Sequence, residues 1–203
     1  MFNVAVFVSG RGSNLRSLFE KVQKDQVKIC AVISDKKKCG AVEFANLNSI
    51  PVFFVNGNVE EGFTSYSFLI AELKKLSTNL IVLAGFLKKI PDELVDAFEN
   101  KIINIHPALL PSFGGKGMYG LNVHKAVFNS SAKCSGATVH FVNRVYDDGK
   151  IIAQKAVDIS DVNSPEEIAE RVLNIEHELL PLVVQKFSED KIIFKQNRVV
   201  VVD

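Results

Sequence analysis

Short apolar runs alternate with amphipathic stretches along the N-terminal half of the chain. The runs at 2–8, 27–33, 50–55 and 79–83 read as strands, and the stretches at 15–24, 39–47, 64–76 and 91–98 read as helices. Strands so uniformly apolar belong in a sheet covered on both faces. The regular alternation therefore predicts an α/β fold: three layers, a mostly parallel twisted sheet and helices on both faces, Rossmann-like in its N-terminal half. Over 64–76, Phe63, Tyr66, Phe68, Leu69, Leu73 and Leu76 can supply an inward stripe. The Asn56-Gly57-Asn58 sequence before them reads as a turn.

The pattern changes at 101–106, a short apolar strand with Ile103 and Ile105 on one face and Ile102, Asn104 and His106 on the other. A buried strand has no reason to carry an amide and an imidazole on one side unless they have partners or work to do. Pro107 stops the ladder and leaves both groups at a carboxyl-end rim, where open α/β sheets keep their chemistry. The segment 107–120 is rich in proline and glycine, as functional or mobile connections are. A helix is expected over 122–129, with His124 half exposed. Alternation over 135–142 and its return over 151–157 predict a β-hairpin with an Asp148-Gly149 turn, and place Asp147 on the connecting loop.

Ser164-Pro165-Glu166-Glu167 has the form of a capping box and opens a long helix reaching about residue 187. Ile168, Val172, Ile175, Leu179, Leu182 and Val183 form its apolar side, Glu176 and His177 fall within that pattern, and Pro181 should kink or break it. Residues 191–203 read as strand and tail.

Composition narrows the function. A net charge of +1 gives no broad attraction for a polyanion, so nucleic acid is not expected as a partner. Cys30, Cys39 and Cys134 form no Cys-x-x-Cys pair, which fits a reducing, cytoplasmic setting. No signal peptide or membrane span is read. The four histidines, at 106, 124, 140 and 177, make no ligand spacing, so no metal is expected.

Two loops remain. In the first βα turn, Ser9-Gly10-Arg11-Gly12-Ser13-Asn14, glycines and free helix-start amides suit a phosphate or carboxylate, or simply a tight turn; Ser13 or Asn14 can cap the helix. Leu15 stands where a dinucleotide fingerprint has its third glycine, which disfavours a nicotinamide dinucleotide. The loop 84–91 could wall a pocket for an apolar ring, or be a plain connection with Phe86 and Ile90 buried. Asn, His and Asp without a nucleophilic serine or cysteine beside them suggest direct transfer between two bound substrates.

The motifs Asn104-Ile105-His106-Pro107-Ala108-Leu109-Leu110-Pro111, Ala84-Gly85-Phe86 and Gly136-Ala137-Thr138-Val139-His140-Phe141-Val142, with Asp147 beyond, occur in an order that resembles the folate-dependent formyltransferase family. The resemblance extends to the 9–15 loop and to Glu176-His177 with Pro181-Leu182-Val183. It implies transfer of a formyl group from 10-formyltetrahydrofolate, a co-substrate, to the primary amine of glycinamide ribonucleotide in purine biosynthesis. It implies Asn104, His106 and Asp147 as catalytic groups and Gly12, Ser13, Asn14 and Glu176 as substrate-binding groups. Phe86, Leu87, Lys88, Lys89, Ile90, Asn143 and Tyr146 become the folate's neighbours, with Thr138 and His140 supporting the catalytic water and loop. The expected organisation is a single domain over 1–203: a phosphate-binding βα half at 1–100, a catalytic and folate-binding half at 101–187, and a strand and tail at 188–203. A monomer or homodimer is expected. The competing readings are a formyltetrahydrofolate hydrolase, another formyltransferase using the same donor, and a non-catalytic nucleotide-binding protein.

Overall fold

A computed structural model describes residues 1–56 and 61–202. Gly57 and Asn58 of the expected 56–58 turn lie outside the described residues, as does the terminal Asp203. The larger sheet has seven strands in the order β3-β2-β1-β4-β5-β6-β7, and β8 and β9 form a second sheet. The chain divides into two compact units, Met1–Ile103 and Asn104–Asp203.

The first unit holds β1 (Phe2–Val8), α1 (Ser13–Lys21), β2 (Val27–Ser34), α2 (Gly40–Leu47), β3 (Val52–Phe54), α3 (Tyr66–Lys75), β4 (Leu80–Leu83) and α4 (Asp92–Ala97). β1 pairs in parallel with β2 and β4, and β2 with β3. Residues 4–8 of β1 are wholly buried, as a parallel strand covered on both faces must be. The strand order reverses direction at β1. Right-handed crossovers then put α1 and α2 on one face and α3 on the other, in keeping with the contacts α1 makes with α2 and α3 with α4. The ends of β1 and β4 thus flank a topological switch point, where loops diverge and leave room for a ligand.

The helix expected over 64–76 begins at Tyr66, with the Ser65 hydroxyl accepting from Phe68 N. Its inward stripe is narrower than the aromatic pattern suggests. Leu69 and Leu73 are buried, whereas Phe68 is half exposed.

The second unit runs from the end of β5 (Ile102–His106) through α5 (Leu121–Asn129), β6 (Cys134–Phe141), β7 (Ile151–Asp158), α6 (Pro165–Ser188), β8 (Ile192–Lys195) and β9 (Arg198–Val201). β6 and β7 pair antiparallel with a register shift at Val139/His140. Their connection is not closed by a tight Asp-Gly turn. The left-handed residue is Asp147 (φ 53°), and Gly149 serves close approach instead, since a Cβ there would lie 1.7 Å from the Phe141 carbonyl oxygen.

α6 packs on α5, β6 and β7. Ser164 caps it by accepting from Glu167 N at 3.2 Å, while the Glu167 carboxylate takes Asn163 N rather than the cap's own amide. The helix runs unbroken past Pro181, which is buried; Leu182, expected inside, is exposed, and Leu180 and Val184 fill the core with Val183. The 191–203 stretch is more than strand and tail: β8 and β9 pair as an antiparallel hairpin, and Phe194 stacks on Phe141 at 5.0 Å.

Candidate active site

In the first unit the glycine-rich turn after β1 is built around Gly12. This residue, not Ser13 or Asn14, is the N-cap of α1, in a left-handed conformation (φ 78°), because the helix begins two residues earlier than its amphipathic pattern. A Cβ at Gly12 would sit 2.7 Å from that of Ala41, so glycine also lets the start of α2 approach, and Ala41 N donates to the Gly10 carbonyl at 3.1 Å. The first-turn amides of α1, at residues 13 and 14, have no carbonyl of their own helix to meet, which is the ordinary condition of an anion-binding helix start.

The loop after β4 is tied to this turn. Leu87 N donates to the buried Ser9 hydroxyl at 2.9 Å, and Phe86 meets Phe7 edge-on at 5.3 Å. Ser9 is thus a structural link that sequence reasoning passed over as part of the glycine loop. Leu87, Lys88 and Lys89 are exposed, Phe86 is half-buried, and Ile90 belongs to the core.

In the second unit, Asn104, His106, Thr138, His140 and Asp147 converge. The His106 ring is 3% exposed, donates through Nε2 to the Phe113 carbonyl at 2.9 Å, and holds Nδ1 3.7 Å from Asp147 Oδ2. The other carboxylate oxygen of Asp147 lies 3.7 Å from His140 Nε2, and Gly115 N donates to Oδ2 at 2.8 Å. One carboxylate therefore faces two imidazoles and is itself oriented by a loop amide.

His140 is held neutral. Burial pushes its pKa down, against the upward pull of the Phe141 carbonyl and of Asp147. Its Nδ1–H donates to the Phe141 carbonyl at 2.8 Å, which leaves Nε2 as an acceptor for the Asn104 amide at 3.1 Å. This fixes which end of Asn104 is nitrogen and leaves its second N–H for another acceptor. His140 thus orients Asn104. Thr138 donates to the Ala108 carbonyl at 2.6 Å and accepts from Leu110 N at 3.1 Å, so it holds the segment that leaves His106.

His124 is not half exposed but buried, on the inward face of α5 with Val123 and Val127. Its pKa is pushed down to about 4, first by burial and then by the charge of His106. Glu176 is buried on the inward side of α6, between Val172 and Leu179 in helical phase. Asn143 and Tyr146 lie exposed on the loop that carries Asp147, where Asn143 Oδ1 accepts from Val145 N at 2.8 Å. Among the described residues, no group of three or more His, Cys, Asp or Glu is placed to hold a metal ion, and no helix is long and apolar enough to cross a membrane.

The mostly parallel sheet and the clustering of Asn104, His106, His140 and Asp147 define an α/β protein with an amide, two imidazoles and a carboxylate gathered in one place. The chain belongs to the formyl transferase family, whose model matches residues 2–184. It is 47% identical over 201 residues to the chloroplastic phosphoribosylglycinamide formyltransferase of Arabidopsis thaliana, covering 97% of this chain and 68% of that one. It is 35% identical to the phosphoribosylglycinamide formyltransferase of Bacillus subtilis, over 92% of this chain and 94% of the other. The crystal structure of the Anaplasma phagocytophilum phosphoribosylglycinamide formyltransferase superimposes with a TM-score of 0.88 at 33% identity, over 100% of this chain and 95% of that one. The chain spans about two thirds of the length of the plant relatives it matches.

Proposed function

We propose that this chain transfers the formyl group of 10-formyltetrahydrofolate to the primary amine of glycinamide ribonucleotide, a step of purine biosynthesis. The observation that carries the reading is the Asn104, His106 and Asp147 cluster, with neutral His140 orienting the amide. The names and coverage of the relatives above supply the substrates.

The substrate amine attacks the formyl carbon, forming the new C–N bond and a tetrahedral oxyanion. Asn104 donates its remaining amide N–H to that oxygen, and the His106 imidazolium, held between the Phe113 carbonyl and Asp147, contributes positive charge. Asp147 faces the ring at 3.7 Å and carries proton traffic through water. Breaking the bond to folate N10 completes the transfer, with the amine's proton passing to that nitrogen. No acyl-enzyme forms, and no step calls for a metal.

We assign the ribonucleotide phosphate to the amides at Gly12, Ser13 and Asn14, and the ribose or glycinamide portion to Glu176. We assign the pterin to the loop of Phe86, Leu87, Lys88 and Lys89, anchored by buried Ile90, and to Asn143 and Tyr146. We place the reaction in the cytoplasm, in line with the free thiols of Cys30, Cys39 and Cys134.

The test is a two-channel assay with both substrates, following formylated ribonucleotide and free formate. Formylated product dependent on both substrates is expected. Formate release without ribonucleotide would move the chain to the hydrolases, and activity in neither channel would remove the enzymatic reading.

A further inference from the structure

Gln154 stands on β7 directly opposite Thr138. Although it is an exposed residue, its amide nitrogen lies 2.9 Å from both the Thr138 hydroxyl and the Leu110 carbonyl. The valences close. Thr138 has one hydrogen, given to the Ala108 carbonyl, and two lone pairs, which accept from Leu110 N and Gln154 Nε2. Gln154 Nε2 has two hydrogens, one for Thr138 and one for Leu110.

Leu110 in turn packs where a Gly114 side chain would be: a Cβ at Gly114 would meet Leu110 Cδ2 at 2.6 Å and Asp147 Cβ at 3.2 Å. The backbone on either side of Gly114 makes the two contacts that orient the acid–base pair, Phe113 O with His106 Nε2 and Gly115 N with Asp147. A contiguous set of contacts therefore runs from Gln154 through Leu110 and Gly114 to both His106 and Asp147.

We infer that Gln154 is a positioning residue for His106 and Asp147, acting by clamping the 108–110 backbone so that the 113–115 segment can reach them. The inference rests on the formyl-transfer reading for its kinetic consequence, but its structural content does not. Losing a donor from a closed network of this kind corresponds to about tenfold in rate when its effect falls on the transition state.

The experiment compares the protein with its Gln154→Met and Gln154→Glu variants. Met keeps the side chain's reach without a donor, and Glu offers an acceptor where the Leu110 carbonyl needs a donor. Histidine imidazole NMR on the substrate-free protein should show the His106 Nε2–H resonance leaving its hydrogen-bonded position in both variants. Kinetics should show kcat falling about tenfold with KM for the ribonucleotide little changed and the melting temperature kept. Thr138→Val should shift the same resonance, and the Thr138→Val/Gln154→Met double variant should shift it no further. An unmoved His106 resonance, or a rate loss that only tracks the unfolded fraction, would overturn the inference. If the wild-type protein transfers no formyl group, the functional reading fails separately, and the imidazole resonance still decides the role of Gln154.

Discussion

Asp147 faces His106 and His140 with its two oxygens and takes the Gly115 amide on one of them. Replacing it by asparagine keeps an acceptor for Gly115 N but removes the negative charge that faces the two imidazoles. Asp147→Asn should therefore lower kcat by roughly 10²-fold or more while the melting temperature holds, read by steady-state kinetics beside a thermal melt. His106→Ala should do the same with substrate binding retained, and loss of the fold in both variants would make the pair architectural. Gly12 poses a different residue-scale question. Its φ of 78° and the 2.7 Å approach to Ala41 mean that Gly12→Ala combines backbone strain with a clash. Chemical denaturation should show a loss of about 1–3 kcal/mol, together with weaker phosphate binding.

At the scale of elements, the start of α6 was legible in the sequence because capping is local. The Ser164 hydroxyl and Glu167 amide meet within one turn of chain, so Ser164→Ala should cost about 1 kcal/mol in denaturant unfolding. The strands were legible too, since uniform apolar runs have few other places to go. The stripe on α3 was not: Phe68 and Leu69 are both apolar, and only packing decides which faces inward. His124 was misjudged for the same reason, a polar residue placed in phase with Val123 and Val127. The β6–β7 connection shows the limit of turn signals. Asp148-Gly149 marks a turn correctly as composition, yet the glycine is required by the Phe141 carbonyl eight residues away. Gly149→Ala should displace that connection and with it Asp147, lowering both kcat and stability in the same kinetic and melting measurements.

At the scale of the whole molecule, two buried histidines shape the response to pH. The unfolded chain binds protons at His124 and His140 more readily than the folded one, because burial depresses both pKa values. Stability is therefore full above about pH 6.5 and declines as the pH falls, for His124 through the interval from 6.5 to about 4. The expected loss from His124 is on the order of 2–3 kcal/mol, measurable by denaturant titrations at stepped pH. His124→Gln should flatten that slope, and an unchanged slope would remove His124 as its source.

The sequence by itself determined the α/β class, the positions of β1, β2 and β5, the long capped helix, and the presence of an amide, an imidazole and a carboxylate in a recognisable order. Periodicity, capping and glycine placement are properties of neighbours along the chain, so the chain reveals them. Tertiary structure alone decided that His140 stays neutral and orients Asn104, that the Phe113 carbonyl and Gly115 amide address His106 and Asp147, and that Gln154 completes the Thr138 network. Those relations join residues distant in sequence through backbone groups every residue carries, and the burial that sets the histidines' charge belongs to the packed molecule rather than to any stretch of it.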